Sequence, residues 1–179
     1  MEKNNQIIKI MVNLQVVNEM MVQRAFQVCK SGDGYVVGRN KFGEYMYIKI
    51  FNGKLELNIV REFLSLKFTI TSDGSILVKN TTKNVVQLII ICKSFQNLHV
   101  KEFKEMSKHI QLMKEDFLNI NITKVAPKHE KVDRDMIRNV KELPIIKEDD
   151  PNCIFYNYVK GDVVRVTRKD GEVVYRLVR

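Results

Sequence analysis

The sequence predicts an α+β fold in two domains: an N-terminal α/β domain with a small mixed sheet and a C-terminal small mixed-β domain. Helical and strand-like segments alternate over residues 1–121, whereas short strands and turn residues dominate residues 122–179. The chain closes on two alternating segments, Asp162–Arg168 and Glu172–Val178, joined by Lys169-Asp170-Gly171. Alternation around an Asp-Gly turn is typical of a β-hairpin.

Helices are predicted in the N-terminal domain from apolar residues at steps of three and four. One long helix runs from Asn5 to about Lys30 and is stopped by Ser31-Gly32-Asp33-Gly34. A second helix covers Leu55–Phe68, and a short one covers Val100–Met106. The predicted buried face of the second helix consists of Leu55, Ile59, Phe63 and Leu66.

Strands are predicted between and after these helices. The predicted strands are Glu44–Phe51, Ser75–Val78, Asn84–Cys92 and His109–Met113. Asn84–Cys92 is a nearly unbroken apolar run, which is typical of an interior strand covered on both faces. Glu115–Leu118 is predicted as a helical turn.

The C-terminal domain is predicted to start with a strand over Ile120–Val125. Pro127 lacks a backbone donor and therefore suits the end or edge of a strand. Asp133 can cap a short helix over Arg134–Val140. A helical turn follows Asp150-Pro151 and extends through Tyr158.

Composition limits the classes of function. A net charge of +9 and a pI near 9.4 favour a polyanionic neighbourhood, nucleic acid first, with an acidic protein partner as the alternative. Cys29, Cys92 and Cys153 lie far apart, so we expect three free thiols in a reducing compartment. No apolar run reaches the roughly 18 residues of a membrane span, and no secretion signal precedes the first helix. We therefore expect an intracellular protein without a membrane contact.

Catalytic and metal-binding motifs are not recognisable in the sequence. His99, His109 and His129 form no HxH or HExxH pair, so we expect neither a catalytic residue, a metal site nor a cofactor. We expect His129 to be a structural hydrogen-bonding residue at a strand end. No aromatic-and-basic pattern that would mark a base-stacking surface is visible along the chain.

Several ordered motifs in residues 125–179 carry a resemblance to a known family. They are Pro127-Lys128-His129-Glu130, Leu143-Pro144-Ile145, Asp150-Pro151, Lys160-Gly161-Asp162-Val163-Val164, Arg168, Gly171 and Tyr175-Arg176-Leu177-Val178. In order, spacing and position, this region resembles the assembly domain of the fifth subunit common to the three eukaryotic nuclear RNA polymerases, a domain that the archaeal counterpart of that protein shares. The longer, eukaryotic or viral form also has an N-terminal jaw domain, and Phe117–Thr123 and Asn84–Cys92 resemble parts of that form.

The resemblance implies a non-catalytic subunit of a multisubunit DNA-directed RNA polymerase. It implies that the C-terminal domain docks on the largest subunit, and that the N-terminal domain forms part of the lower jaw near downstream duplex DNA. The implied assembly residues are Pro127, Lys128, His129, Leu143, Pro144, Asp150, Pro151, Gly161, Asp162, Val163, Val164, Tyr175 and Arg176. Among these we expect the valines and Tyr175 to fill a small core beneath the contact face. Candidate residues for weak, non-specific contact with DNA phosphates are Lys101, Lys104 and Lys108.

Two departures from the family pattern indicate a diverged lineage, viral or from an AT-rich unicellular eukaryote. First, Ile154 and Asn157 stand where the family has Arg and Gly, and Asn tolerates a left-handed backbone. Second, Lys169-Asp170-Gly171 replaces the family's longer Pro-Ser-rich turn in the final hairpin. A cellular subunit would act in the nucleus, and a viral one in the virion and host cytoplasm.

Two other classes of function stay open at this stage. One is a free-standing basic adaptor that binds nucleic acid. The other is a nuclease, for which the only Glu-x-Lys motif, Glu102-Phe103-Lys104, lies in a predicted helix rather than on a strand.

Overall fold

The computed structural model describes residues 13–179, which form four α-helices and eleven β-strands. The helices are α1 (Leu14–Gln23), α2 (Leu57–Lys67), α3 (Asn97–Met106) and α4 (Pro151–Tyr156). The strands of the N-terminal half are β1 (Gln27–Gly32), β2 (Tyr35–Arg39), β3 (Tyr45–Ile50), β4 (Phe68–Ile70), β5 (Ile76–Val78), β6 (Val85–Cys92) and β7 (Ile110–Lys114). Those of the C-terminal half are β8 (Lys128–Val132), β9 (Ile145–Ile146), β10 (Val163–Thr167) and β11 (Val173–Val178). Short 3-10 turns occupy Glu115–Leu118, Ile122–Lys124, Arg134–Met136 and Val140–Glu142. The α+β class is confirmed.

The chain divides into two compact units, one up to Asn119 and one from Ile120 to Arg179. The N-terminal unit contains a mixed five-stranded sheet in the order β1-β2-β3-β6-β7. Its first three strands are antiparallel neighbours, whereas β3, β6 and β7 run parallel. Strand β6 lies between β3 and β7, and its residues from Leu88 to Cys92 are buried, as predicted for an interior strand.

One core of the N-terminal unit forms where α2, α3 and the β4–β5 hairpin supply apolar side chains to the sheet. Its fully buried members include Val60 and Leu64 from α2, Phe103 from α3 and Ile76 from β5. Burial of such side chains contributes about 1.5–3 kcal/mol each. This unit is therefore held together by helices packed on a mixed sheet, which positions the loops at both ends of the strands.

The C-terminal unit is a four-stranded sheet in the order β8-β10-β11-β9. Strand β10 pairs antiparallel with both β8 and β11, and β9 pairs parallel with β11. The predicted closing hairpin is confirmed as β10 and β11, with Gly171 of its turn at a φ of 88°. Pro127 directly precedes the edge strand β8, as its missing donor predicted.

The long helix predicted from Asn5 to Lys30 is wrong after Gln23, and residues 1–12 lie outside the described residues. Helix α1 ends at Gln23, and Ala25 takes a φ of 66°, after which β1 begins. Val28 satisfies a helical step, but in β1 its backbone pairs with Gly38 of β2. The predicted helix stop is a hairpin turn, because Gly32 pairs with Tyr35 across Asp33-Gly34.

Helix α2 is present where predicted, but it buries a different face. Val60 and Leu64 are buried, whereas Ile59 is 48% and Leu66 is 63% exposed. Leu55 is buried but precedes the helix, and Phe63 is half-buried. The apolar residues surround more of the helix than one stripe, so periodicity alone did not decide which stripe meets the sheet.

Two predicted elements of the C-terminal unit are also corrected. Ile120–Val125 contains the 3-10 turn Ile122–Lys124 rather than a strand, because the Asn121 side chain accepts hydrogen bonds from the Thr123 N–H at 3.0 Å and from the Thr123 hydroxyl at 2.7 Å. The helix predicted over Arg134–Val140 is confined to the 3-10 turn Arg134–Met136, which Asp133 caps, because Ile137 is extended at a φ of -110° and a ψ of 122°.

Candidate functional site

The two faces of the C-terminal sheet differ in their surroundings. One face is the small core, whose buried members are Ile146, Cys153, Tyr158, Val164, Val166 and Val178. Helix α4 supplies Cys153 to this core. The opposite face carries the residues that alternate with these along each strand, including Val163, Arg165 and Tyr175.

The predicted turn residues before β10 form a tight reverse turn. Asp162 N–H donates to the Val159 carbonyl at 3.0 Å, and the Val159 N–H donates to Asp162 Oδ2 at 3.0 Å. Gly161 takes a φ of 97°, and its N–H donates to the Val178 carbonyl at 3.0 Å. Asp162 Oδ1 also forms an ion pair with Lys131 at 2.8 Å. The turn thereby ties the start of β10 to β8 and β11.

Helix α4 begins and ends on residues that the sequence singled out. Asp150 caps its first turn, because its Oδ1 accepts from the Asn152 N–H at 2.8 Å, and Pro151 is the first helical residue. Asn157 ends the helix at φ 58° and ψ 43°, which is the left-handed conformation that its family counterpart Gly would adopt easily. These residues orient Cys153 and Tyr158 toward the core.

The motif Pro127-Lys128-His129 starts the edge strand β8. The His129 ring donates from Nδ1 to the Pro127 carbonyl at 2.7 Å, and the Tyr158 hydroxyl donates to the His129 carbonyl at 3.2 Å. His129 is 8% exposed, which fits the structural role expected from the sequence. Lys128 is exposed and pairs with Glu130 at 2.8 Å.

Tyr175 does not fill the core beneath the valines, which corrects the sequence-based expectation. It lies opposite Arg165, on the face away from Val164. Arg165 in turn lies opposite Glu130 and contacts Glu130 Oε2 at 2.6 Å. Hydrogen bonds from Lys128 and Arg165 lower the pKa of Glu130 below its usual range. The row formed by Glu130, Arg165 and Tyr175, which the sequence did not indicate, extends across three neighbouring strands, and its charged members lie on β8 and β10.

Leu143, Pro144 and Arg176 meet at the edge of the sheet formed by β9. The Leu177 N–H donates to the Pro144 carbonyl at 2.9 Å, and Arg176 Nη1 donates to the Ile145 carbonyl at 3.2 Å. Ile145 is 51% exposed although it belongs to a strand. We call Leu143, Pro144, Ile145 and Arg176 the β9 edge.

The thirteen predicted assembly residues therefore fall into three classes of exposure. The exposed ones are Pro127, Lys128, Pro144 and Pro151. The half-buried ones are Leu143, Asp150, Gly161, Asp162, Tyr175 and Arg176. The buried ones are His129, Val163 and Val164. Only the first two classes can touch a partner, and the buried residues act by holding the sheet.

The lysines proposed to lie near DNA are exposed on the N-terminal unit. Lys101 and Lys104 lie on α3, and Lys108 lies between α3 and β7. Lys101 pairs with Glu105 at 3.9 Å, so the helix surface carries both signs of charge. Glu102-Phe103-Lys104 lies within α3 as predicted, with Phe103 buried and Glu102 hydrogen-bonded to Arg61.

The remaining chemistry-bearing residues have structural partners. His99 Nδ1 accepts from the Gln96 N–H at 3.4 Å, and His109 Nδ1 lies 2.9 Å from the Val86 carbonyl. The three thiols are free, with Cys92 and Cys153 buried and Cys29 exposed.

Between residues 13 and 179, no group of three His, Cys, Asp or Glu side chains is arranged to hold a metal ion. Within the same range no helix is both long and apolar enough to span a membrane.

Comparison with known proteins identifies the C-terminal unit. Residues 118–178 match the family described as RNA polymerase Rpb5, C-terminal domain. The matched range includes the whole four-stranded sheet and α4.

Two viral proteins are similar to the chain over nearly its full length. Uncharacterized protein 092R of Invertebrate iridescent virus 3 is 57% identical over 171 residues, covering 94% of this chain and 100% of the relative. A protein of Invertebrate iridescent virus 6, named "Putative DNA-directed RNA polymerase subunit 454R", is 24% identical over 191 residues, covering 92% of this chain and 97% of the relative. The chain therefore belongs to the Rpb5-like family of DNA-directed RNA polymerase subunits, in the diverged form that it shares with these viral proteins, and it is an accessory rather than a catalytic chain of the polymerase.

Proposed function

We propose that the C-terminal unit docks on the largest subunit of the polymerase and thereby assists assembly. The observation that carries this proposal is the match of residues 118–178 to an Rpb5 C-terminal domain, together with the compact unit that the same residues form. Membership of the family indicates other polymerase subunits as partners. The largest subunit is the member of that set that we propose.

The β9 edge supplies an exposed surface for this contact. Pro144 and Ile145 are exposed apolar residues. Leu143 precedes them in the sequence and Arg176 lies next to them on β11, and both are half-buried. Strand β9 is an edge strand of two residues, so its outer backbone groups have no partner strand in the four-stranded sheet. An apolar patch next to an Arg is the composition typical of the centre of a protein interface.

Affinity purification tests the docking proposal. A tagged chain expressed in infected cells should recover the largest polymerase subunit, and Ile145→Asp should reduce that recovery at least fivefold because it places a charge in the apolar contact. Ile59→Asp on α2 is the matched control, since Ile59 is 48% exposed and Ile145 is 51% exposed. Equal recovery with both variants, or recovery of the wild-type chain alone, would contradict the proposal.

We further propose that the N-terminal unit is a lower-jaw element near downstream duplex DNA. Lys101, Lys104 and Lys108 are exposed, and lysines at such positions attract phosphates without reading sequence. The ion pair of Lys101 with Glu105 reduces the positive charge of this surface, which agrees with a weak, non-specific contact.

Crosslinking in the assembled polymerase tests the jaw proposal. Replacing Lys101, Lys104 and Lys108 by Ala should lower crosslinking of this subunit to downstream DNA severalfold, because three phosphate partners are removed. The control removes the same charge from the C-terminal unit by replacing exposed Lys141, Lys147 and Lys169. The jaw proposal fails if both triple variants crosslink equally.

The viral relatives indicate a viral protein that acts in an infected cell. We propose the virion and the host cytoplasm as its locations. Mass spectrometry of purified virions, with fractionation of infected cells, checks both locations, and signal confined to the nuclear fraction would contradict them.

A further inference from the structure

One end of the N-terminal sheet gathers the basic and aromatic side chains of residues 39–45 and one distant lysine, Lys83. The Arg39 guanidinium lies 5.9 Å from the centroid of the Tyr45 ring, and Lys83 Nζ lies 5.5 Å from the same centroid. Lys41 Nζ lies 5.0 Å from the centroid of the Phe42 ring. We call Arg39, Lys41, Phe42, Tyr45 and Lys83 the basic-aromatic tip. Strand pairing creates it, because Tyr45 lies opposite Arg39 in β2 and opposite Val85 in β6.

The turn that presents Phe42 is held by its own hydrogen bonds. Asn40 Oδ1 accepts from the N–H groups of Phe42 at 3.0 Å and of Glu44 at 2.9 Å, and Asn40 N–H donates to the Glu44 carbonyl at 3.0 Å. Gly43 takes a φ of 84°, and a Cβ there would lie 3.3 Å from Arg39 Nη2, so the guanidinium crosses the turn over this glycine. The ring of Phe42 is therefore displayed on a preorganised loop, at 76% exposure.

The positive charge of the tip is not neutralised within the described part of the chain. Arg39, Lys41 and Lys83 take part in none of the ion pairs found between residues 13 and 179. The nearby carboxylate of Glu44 instead accepts from the Asn40 side chain at 2.8 Å. The ring of Tyr45 packs against the core, and the positive charges of Arg39 and Lys83 both lie close to it. An external anion would relieve the repulsion between them.

We infer that the basic-aromatic tip binds a single nucleic-acid strand. The phosphates are held by Arg39, Lys41 and Lys83, and an unpaired base stacks on the exposed face of Phe42. A cationic surface interleaved with an exposed aromatic ring is the chemistry that recognises single strands without sequence preference. An acidic protein surface would satisfy the cations but does not by itself require an exposed aromatic ring, whereas a single nucleic-acid strand supplies a phosphate and an accessible planar base at every nucleotide. A stacked duplex conceals its base faces. This inference goes beyond the assembly and jaw roles, and it concerns different residues. It also revises the sequence-based expectation that the chain has no base-stacking surface, because the contact of Lys83 with Tyr45 depends on the fold.

Binding by the full chain to a fluorescein-labelled oligothymidine of about twelve nucleotides tests the inference. Fluorescence anisotropy is measured over a range of salt concentrations. Phe42→Ala should weaken binding at least about fivefold with an unchanged salt slope, because one stacking contact is lost and no phosphate contact is lost. Arg39→Ala combined with Lys83→Ala should reduce the slope of log K against log salt by about 1.4, at about 0.7 per phosphate contact.

The matched control removes two exposed lysines of the other unit, Lys160→Ala with Lys169→Ala, and leaves the same net charge as the Arg39–Lys83 pair. It should retain the wild-type slope. Phe42→Trp adds a reporter to a chain that contains no Trp. Its emission should be quenched on binding while the affinity is kept. Far-UV circular dichroism verifies that each variant is folded.

The inference is overturned if Phe42→Ala leaves the affinity unchanged, if the Lys160–Lys169 control lowers the slope as much as the Arg39–Lys83 pair, or if the Trp emission does not respond. Binding of a duplex as tightly as the single strand also overturns it. The docking proposal is tested separately, by recovery of the largest polymerase subunit. A Phe42→Ala chain should recover that subunit as the wild-type chain does, because docking depends on the β9 edge and not on the basic-aromatic tip.

Discussion

Backbone conformation at two residues shapes the approach to the closing hairpin. Asn157 ends α4 at a φ of 58°, and Gly161 takes a φ of 97° in the turn before β10. A small polar residue tolerates the left-handed region near 60°, but a φ near 100° is accessible mainly to glycine. The replacement of the family's Gly by Asn157 was therefore predictable as harmless, whereas Gly161 has no equivalent substitute.

Gly161→Val should destabilise the C-terminal unit by about 1–2 kcal/mol or more, because a β-branched residue is strained at this φ. Steric overlap contributes little, since the nearest atom to an added Cβ is Arg134 Nη1 at 3.8 Å. Urea unfolding measures the change. Lys160→Val, which places the same side chain on the exposed neighbouring residue, should change stability by less than about 0.5 kcal/mol. Equal effects of the two variants would contradict the argument from backbone strain.

The buried thiol of Cys153 should make the C-terminal unit sensitive to alkaline pH. Burial, with smaller repulsion from nearby carboxylates, raises the pKa of Cys153 from 9.0 to about 12. The folded-state pKa lies above the unfolded value, so the contribution to stability is present below pH 9.0 and is lost as the pH rises toward 12.

Urea unfolding at pH 7.5, 9 and 10.5 should show a falling free energy of unfolding, with a shallower fall for Cys153→Ala than for the wild-type chain. Cys29→Ala, at an exposed thiol, should keep the wild-type pH dependence. Identical pH dependence for Cys153→Ala and the wild-type chain would show that this thiol does not contribute.

At the level of elements, a local signal marked the start of α4 but not the bounds of α1. Asp150 before Pro151 caps α4 through its side-chain oxygen, and this motif is visible in the sequence. Asn13 caps α1 in the same way, but the helical period was predicted to start at Asn5. The residues after Gln23 continue the helical period, yet they pair with β2. All six residues of β1 are exposed, so its sequence does not need to alternate between apolar and polar residues. Without that alternation, β1 could not be recognised as a strand until its pairing with β2 was known.

Asp150→Ala should lower the stability of the C-terminal unit by about 1 kcal/mol, because the cap to the Asn152 N–H is lost. The adjacent Asp149 provides a matched control: Asp149→Ala removes the same charge from a neighbouring position that makes no cap. Urea unfolding measures the stability of both variants. Equal unfolding midpoints for Asp150→Ala and Asp149→Ala would contradict a stabilising role of the cap.

At the level of the whole molecule, each of the two units has buried apolar residues of its own. Val85 belongs to the core of the N-terminal unit and Val164 to that of the C-terminal unit, and both are fully buried. Each of these cores is formed by residues of a single unit. We therefore expect loss of a buried methyl group to destabilise mainly the unit that contains it.

Val164→Ala should cost about 2 kcal/mol and accelerate hydrogen exchange within residues 120–179, whereas Val85→Ala should do so within the N-terminal unit. Hydrogen exchange followed by mass spectrometry resolves the two regions. Acceleration spread evenly over both units by either variant would show that the cores unfold as one.

The sequence by itself determined the α+β class, the interior strand β6, the closing hairpin, the caps of α4 and the resemblance to an RNA polymerase subunit. Each depends on neighbours in the chain: an apolar run, an Asp-Gly turn, an Asp before a Pro, or motifs in order. Only the tertiary structure decided which stripe of α2 is buried, that Tyr175 lies with Arg165 rather than in the core, and that Lys83 joins Arg39 around Tyr45. These facts depend on how the elements pack and pair in three dimensions: α2 on the sheet, β10 with β11 and β8, and Lys83 beside β3. The residues next to each position in the chain do not by themselves decide such contacts.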